Sequence, residues 1–262
     1  MKHTTPLALF TAGLLATTPA LAADEELRQE IETLKQENRT IIERLNATSE
    51  MIESNRSAGG TSPVSIGGYG ELHYNNLDNQ LAGGDDKEML DFHRFVLFFG
   101  YDYTDDIRFF SELEVEHAYS GDGKPGAVEL EQAYVEFDLN DKNSAKGGVF
   151  LLPVGILNET HEPTTFYGVE RNPVEKNIIP TTWWAAGAEL AGRFGQGFSY
   201  NLGVHEGLKL DPLGDMAVRG GRQKSAKADA FDLASTARLK YTGIPGLELA
   251  ATVQHQSDMS QD

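Results

Sequence analysis

The chain has no cysteine. That removes disulfide staples, zinc ribbons, thiol redox chemistry and cysteine nucleophiles, and leaves His and carboxylates as the candidate metal ligands. Positive charge is scarce: 22 Lys and Arg stand against 40 Asp and Glu, a formal net charge of −18 over 262 residues. A nucleic-acid binder needs a positive footprint to neutralise phosphates, and this balance has the opposite sign. Long apolar runs are scarce too. A mean hydropathy of −0.38 leaves no room for several membrane helices of about 20 apolar residues each. What is abundant is glycine, with 27 residues, an excess over the usual figure of about 7% that favours turns and close-packed strands over helices.

Lys2 and His3, an apolar stretch from Leu7 to Leu15, and Ala20-Leu21-Ala22 make up the n-region, h-region and A-x-A site of a secretory signal peptide over 1–22. The apolar run is too short for a membrane anchor and is broken by Thr17, Thr18 and Pro19. An exported chain without cysteine fits a bacterial envelope, where disulfides are dispensable. Residues 23–56 contain neither glycine nor proline, and Leu27, Ile31, Leu34, Asn38, Ile41, Leu45, Thr48 and Ile52 recur at alternating steps of four and three. This is the seam of a coiled-coil oligomerisation helix, with Asn38 at an a position that fixes register and strand number. A single amphipathic helix packed on the rest of the protein would show a wider apolar stripe. Residues 57–63 (SAGGTSP) read as a flexible linker to a separate module.

Beyond the linker the hydrophobic period becomes two. In Val64 to Tyr74, Val64, Ile66, Leu72 and Tyr74 alternate with Ser65, Tyr69, Glu71 and His73. Ile107 to Tyr119, Phe198 to His205 and Phe231 to Tyr241 alternate in the same way, while Met89 to Tyr101, Leu130 to Leu139, Lys146 to Gly155, Trp184 to Phe194 and Leu247 to Gln256 are less regular. In Phe95-Val96-Leu97-Phe98-Phe99 both faces are apolar and the phase cannot be read. The result is about nine antiparallel strands whose connections alternate short and long, with the longest spanning Ile156 to Trp183. One-sided alternation with short and long connections is the pattern of a transmembrane up-and-down β-barrel. In lipid every backbone N–H and C=O must be paired within the protein, so a sheet must close, with apolar side chains outward and polar ones toward a wet lumen. A soluble β-sandwich also alternates, but it uses shorter strands and tolerates such loops less readily.

Three segments carry a family resemblance: Gly68-Tyr69-Gly70-Glu71-Leu72-His73-Tyr74, Glu131-Gln132-Ala133-Tyr134-Val135-Glu136-Phe137, and Gly148-Val149-Phe150-Leu151-Leu152-Pro153-Val154-Gly155. From about Val64 onward the chain resembles the phosphate-selective porin O/P family of Gram-negative outer membranes. The resemblance implies a homotrimeric porin of sixteen or so strands, with the third extracellular loop folded inward as a constriction. Here that loop is 156–183, whose candidate constriction residues are Asn158, Glu159, His161, Glu162, Arg171 and Lys176.

The chain departs from the family in charge. Phosphate-specific members line the pore with basic residues, whereas the expected lumen residues here are Glu71, Glu112, Glu114 and Glu116 with Arg108 and Arg238, and Arg94 and Arg193 are further inward-facing candidates that form no evident ladder. Carboxylate rings favour cations, so weakly cation-selective or mixed diffusion is expected rather than phosphate specificity. Trp183 and Trp184, with Tyr74, Tyr101, Tyr119 and Tyr241, suit aromatic girdles at the membrane interfaces, or, for the tryptophans, sugar stacking. The seven histidines are scattered without metal-binding spacing, and strand period sets His117 opposite Glu114 and Glu116. The basic residues Arg219, Arg222, Lys224 and Lys227 read as a solvated loop, or as a patch that gathers anionic solutes or lipopolysaccharide.

The expected function is passive diffusion of small hydrophilic solutes or ions across the outer membrane, with the N-terminal helix in the periplasm. No cofactor, metal or catalytic residue is implied. An envelope tether with the barrel as anchor is the alternative, and an outer-membrane barrel enzyme would need a Ser/His or Asp/His constellation that no G-x-S-x-G or P-loop nominates. Because bacterial barrels use even strand numbers and 255–262 is a polar, loop-like tail, the chain is expected to be the N-terminal part of a longer porin.

Overall fold

The computed structural model describes residues 62–262 apart from Ala82 and Asp215. The signal peptide over 1–22, the coiled-coil seam over 23–56 and most of the linker lie outside the described residues.

Nine strands form one antiparallel sheet: β1 (Val64–Leu77), β2 (Lys87–Thr104), β3 (Ile107–Glu116), β4 (Val128–Asn140), β5 (Asn143–Leu151), β6 (Trp184–Phe194), β7 (Phe198–His205), β8 (Ala234–Ile244) and β9 (Leu247–His255). Each strand pairs with its neighbours in chain order. The β1 and β9 edges remain open, so the described sheet is not closed into a barrel. All short turns lie at one end of the sheet and all long connections at the other, as up-and-down topology demands. No described helix is long and apolar enough to cross a membrane.

Strand limits differ from the sequence expectation where backbone chemistry intervenes. β3 stops at Glu116 rather than Tyr119 because His117 and Ala118 adopt φ of 53° and 54°, a left-handed conformation that no strand continues. β5 stops at Leu151, two residues before Pro153, which has no N–H to give the ladder.

Register separates the two faces. Across β1 to β3, Glu71 pairs with Arg94 and Arg94 with Glu116, while Gly68 pairs with Leu97 and Leu97 with Leu113. One face is therefore polar, running through Glu71, Arg94, Glu114, Glu136, Lys146, Glu189, Asn201, Thr236 and Arg238. The other carries Ile66, Leu97, Leu113, Leu130, Phe137, Leu202, Leu239 and Val253. These apolar side chains are exposed, whereas Glu112, Glu114, Glu131 and Arg238 are buried. This inverts the dressing of a water-soluble sheet, in which unpaired charge is excluded from the interior.

Two irregularities matter. Glu112 pairs with Gln132 and Leu113 with Leu130, so Glu131 is an extra residue of β4. Glu71 pairs with Arg94 and Leu72 with Phe92, so His93 is an extra residue of β2. Such bulges re-aim a side chain that strict alternation would send elsewhere.

A small apolar cluster of Phe150, Leu152, Trp183, Ala185, Leu208 and Leu210 lies under the long connections. Trp183 and Trp184 are both buried. The girdle and sugar-stacking readings of these tryptophans are thus corrected: Trp183 packs in this cluster, and the Trp184 indole N–H donates to the Lys224 carbonyl at 3.2 Å.

Candidate functional site: the polar face and its infolded loop

The connection from β5 to β6 returns across the polar face. Its neck is closed by Asn158, whose side-chain amide donates to the carbonyls of Leu152 (2.7 Å) and Trp183 (2.8 Å), while its oxygen accepts from the Trp183 N–H (2.6 Å). One Glu175 carboxylate oxygen accepts from the N–H groups of Ile156 (3.1 Å) and Leu157 (3.2 Å). From the β7–β8 connection, Arg219 donates to the carbonyls of Lys176 (2.7 Å) and Thr181 (3.0 Å), and Arg222 to that of Thr182. Arg219 and Arg222 of the basic patch expected to be solvated therefore clamp this loop. Lys224 instead reaches the sheet, pairing with Glu129 of β4 at 2.5 Å beneath the Trp184 ring.

The loop reaches almost every part of the sheet. Glu170 approaches His73 of β1 at 3.5 Å, Glu159 pairs with Arg238 of β8, and the Pro153 carbonyl accepts from Thr252 of β9 at 2.8 Å. At its centre His161 is fully buried, with Nε2 at 3.1 Å from Glu131 and 3.5 Å from Glu112. The Arg171 guanidinium caps the same turn by donating to the His161 carbonyl at 3.0 Å. The Glu162 carbonyl accepts from Thr165 at 3.0 Å, and Lys176 pairs with Glu170 at 3.2 Å.

Of the expected lumen residues, Glu71, Arg108, Glu112, Glu114 and Arg238 lie together on the polar face, and Glu116 ends its stripe opposite Arg94. The stripe is not a bare carboxylate ring. Arg94 bridges Glu71 (2.7 Å) and Glu114 (3.1 Å), and Arg108 binds Glu136 (3.0 Å) and Asp138 (2.6 Å). Lys146 meets Glu189 at 3.0 Å, and Gln132 donates to Glu112 at 2.7 Å. Between the sheet, the loop and the β7–β8 connection lies a cavity of about 140 Å³, lined by Glu71, Arg94, Glu114, Glu116, Arg171, Arg219 and Arg222 among others. Its lining is dense in charge of both signs.

Burial disfavours the charged form of His161, but the two facing carboxylates more than offset it and push its pKa up to about 10. Burial and the neighbouring Arg219 bring Arg222 down to about 10. Burial, with Arg94 adding repulsion, also holds Arg171 below the usual guanidinium range. Desolvation of Glu170 is outweighed by its bond to Lys176, so its carboxyl sits below the ordinary value.

Sequence reasoning missed three groups. Glu131 and His93 are bulge residues, which a strict period of two cannot reveal. His117 was expected opposite the glutamates. Its left-handed backbone instead carries Nδ1 to 2.9 Å from Asp91 on the polar side, where His93 also bonds Asp91 at 3.3 Å and stacks on His73. Arg94 lies on the polar face, as its inward-facing candidacy alongside Arg108 and Arg238 implied, but its bridge between Glu71 and Glu114 could not be read from the sequence.

No family model matches the chain. It is 40% identical over 183 residues to an uncharacterized protein of Aquifex aeolicus (strain VF5), an alignment covering 68% of this chain and 41% of that protein. The match thus spans well under half of the relative's length.

Proposed function

We propose that the chain forms the wall of an outer-membrane diffusion channel of the phosphate-selective porin O/P type, passing small hydrophilic solutes or ions, with loop 156–183 as its constriction. The observation that carries this reading is the inverted sheet. Ile66, Leu72, Leu90 and Val253 are each at least 60% exposed on one side, while Glu112, Glu114 and Glu131 are at most 2% exposed on the other. In water such an apolar face would have to be covered by a second layer, and among the described residues none covers it. In lipid the same face is satisfied by hydrocarbon, and the polar face becomes the lumen wall.

Closure is part of the proposal. Open β1 and β9 edges would leave unpaired N–H and C=O groups in lipid, so further strands must complete the wall. A periplasmic coiled coil over 23–56, trimeric assembly and export through 1–22 belong to the same reading. The channel acts without chemistry. Because most lumen carboxylates meet a cation, weak and mixed ion selectivity is favoured over a strong preference of either sign.

Planar-bilayer recording of the purified protein tests this. Discrete, long-lived conductance steps with a reversal potential close to zero in a salt gradient are expected. A strong anion preference would overturn the mixed selectivity, and absence of steps despite verified membrane insertion would overturn the channel.

A further inference from the structure

We propose that Glu112 of β3, Glu131 of β4 and His161 of the infolded loop form a divalent transition-metal site that pins the loop to the sheet. The ligand atoms are His161 Nε2, Glu112 Oε1 and Glu131 Oε2, all within 4.8 Å of one another. Their residues are 0%, 1% and 1% exposed, and each of these three atoms lacks a hydrogen-bond partner although every one is buried. Nε2 lies near both carboxylates, but neither contact has hydrogen-bond alignment.

The spacing suits an ion. Ligand atoms held about 2.0–2.1 Å from a common tetrahedral centre lie about 3.3 Å from one another. Here Nε2 is 3.1 Å from Glu131 and 3.5 Å from Glu112. Two buried carboxylates carry two negative charges, which a divalent ion balances in full and one imidazolium only by half, and uncompensated buried charge costs several kcal/mol.

The surrounding contacts carry the inference further. His161 Nδ1 is 3.1 Å from the Asn158 carbonyl. A carbonyl can only accept, so Nδ1 carries a proton, and Nε2 is the nitrogen left facing the carboxylates, where an incoming metal ion would displace its proton. The other oxygen of Glu131 accepts from the Thr182 hydroxyl at 3.0 Å, and the other oxygen of Glu112 from the Gln132 amide at 2.7 Å. All three side chains are therefore oriented through the atom that faces away from the centre, which is how metal ligands are held. One imidazole and two carboxylates suit zinc and its neighbours better than calcium, which prefers oxygen alone. The second His/carboxylate cluster, Asp91, His93 and His117, is only partly buried, and its ligand atoms already bond one another.

The experiment is a titration of the full chain in detergent, stripped with chelator and then given zinc chloride alone, followed by calorimetry and elemental analysis. One zinc per chain is expected. The affinity should fall at least about 100-fold in His161→Ala and about 10-fold in Thr182→Val, and stay unchanged in His117→Ala. Failure of the wild-type chain to retain one equivalent would overturn the proposal in favour of a triad bridged by a proton. Unchanged binding in His161→Ala would overturn it in favour of another zinc site. Should His161→Ala fail to fold, the wild-type chain loaded with cobalt decides. Intense visible absorption of a four- or five-coordinate ion supports the site, and the weak spectrum of the hydrated ion refutes it. The result does not depend on conduction, so a chain that binds zinc without conducting separates this proposal from the channel reading.

Discussion

The two faces of the sheet share one backbone and differ only in which alternate residues they receive, yet they are stabilised in opposite ways. The apolar face carries no ion pair among its named residues: Leu97 and Leu113 stand opposite one another, both 37% exposed. The polar face is crowded, crossed by a loop that contacts β1, β3, β4, β8 and β9. Loss of one group on the polar face therefore strands a partner, whereas loss on the apolar face is felt through the surrounding medium. Polar-face energetics reside in specific pairs, and apolar-face energetics in the solvent.

The largest break in this contrast should come from Glu131→Ala. It removes one member of a buried charged set and leaves His161 without that partner, at a cost of about 3–5 kcal/mol. A lower urea midpoint and faster proteolysis within 156–183 are the expected readouts, and an unchanged midpoint would show that the loop docks by other means. Next comes Leu97→Arg on the opposite face. In a phospholipid bilayer it should cost about 2–4 kcal/mol of refolding free energy, while Gln254→Arg, on the polar face opposite Thr236, should be close to neutral. Equal costs would overturn the proposed assignment of one face to lipid and the other to a lumen. The smallest effect is expected for His117→Ala, whose pairing with Asp91 is partly exposed and worth at most about 1 kcal/mol. A larger loss would promote that cluster to an anchor comparable with His161.

The nine strands, their order and the side of the sheet that takes the long connections were legible from period two and from turn composition. So were Glu112, Glu114 and Arg108 as residues of one face, because β3 alternates without interruption. The pairing of those charges was not legible. The partners of Arg94 come from two neighbouring strands whose register no local pattern gives, and Glu131 was displaced by a bulge. Arg219 and Arg222 looked solvated because sequence distance gives no sign that the β7–β8 connection reaches back about 40 residues to Thr181 and Thr182. The tryptophans misled for a related reason: their position at a strand end suits an interface, but Phe150, Leu208 and Leu210 arrive from elsewhere to cover Trp183.

The sequence by itself determined the alternation that makes one face of each strand apolar and the other polar, since side chains of an extended chain point to opposite sides at every step. Only the tertiary structure decided which charges neutralise one another and that His161 comes to rest between Glu112 and Glu131. Those three residues lie on two strands and a loop, brought together by a bulge, a neck closed by Asn158 and a clamp from a distant connection. Non-local hydrogen bonds of this kind depend on register and loop path, which no local pattern of residues specifies.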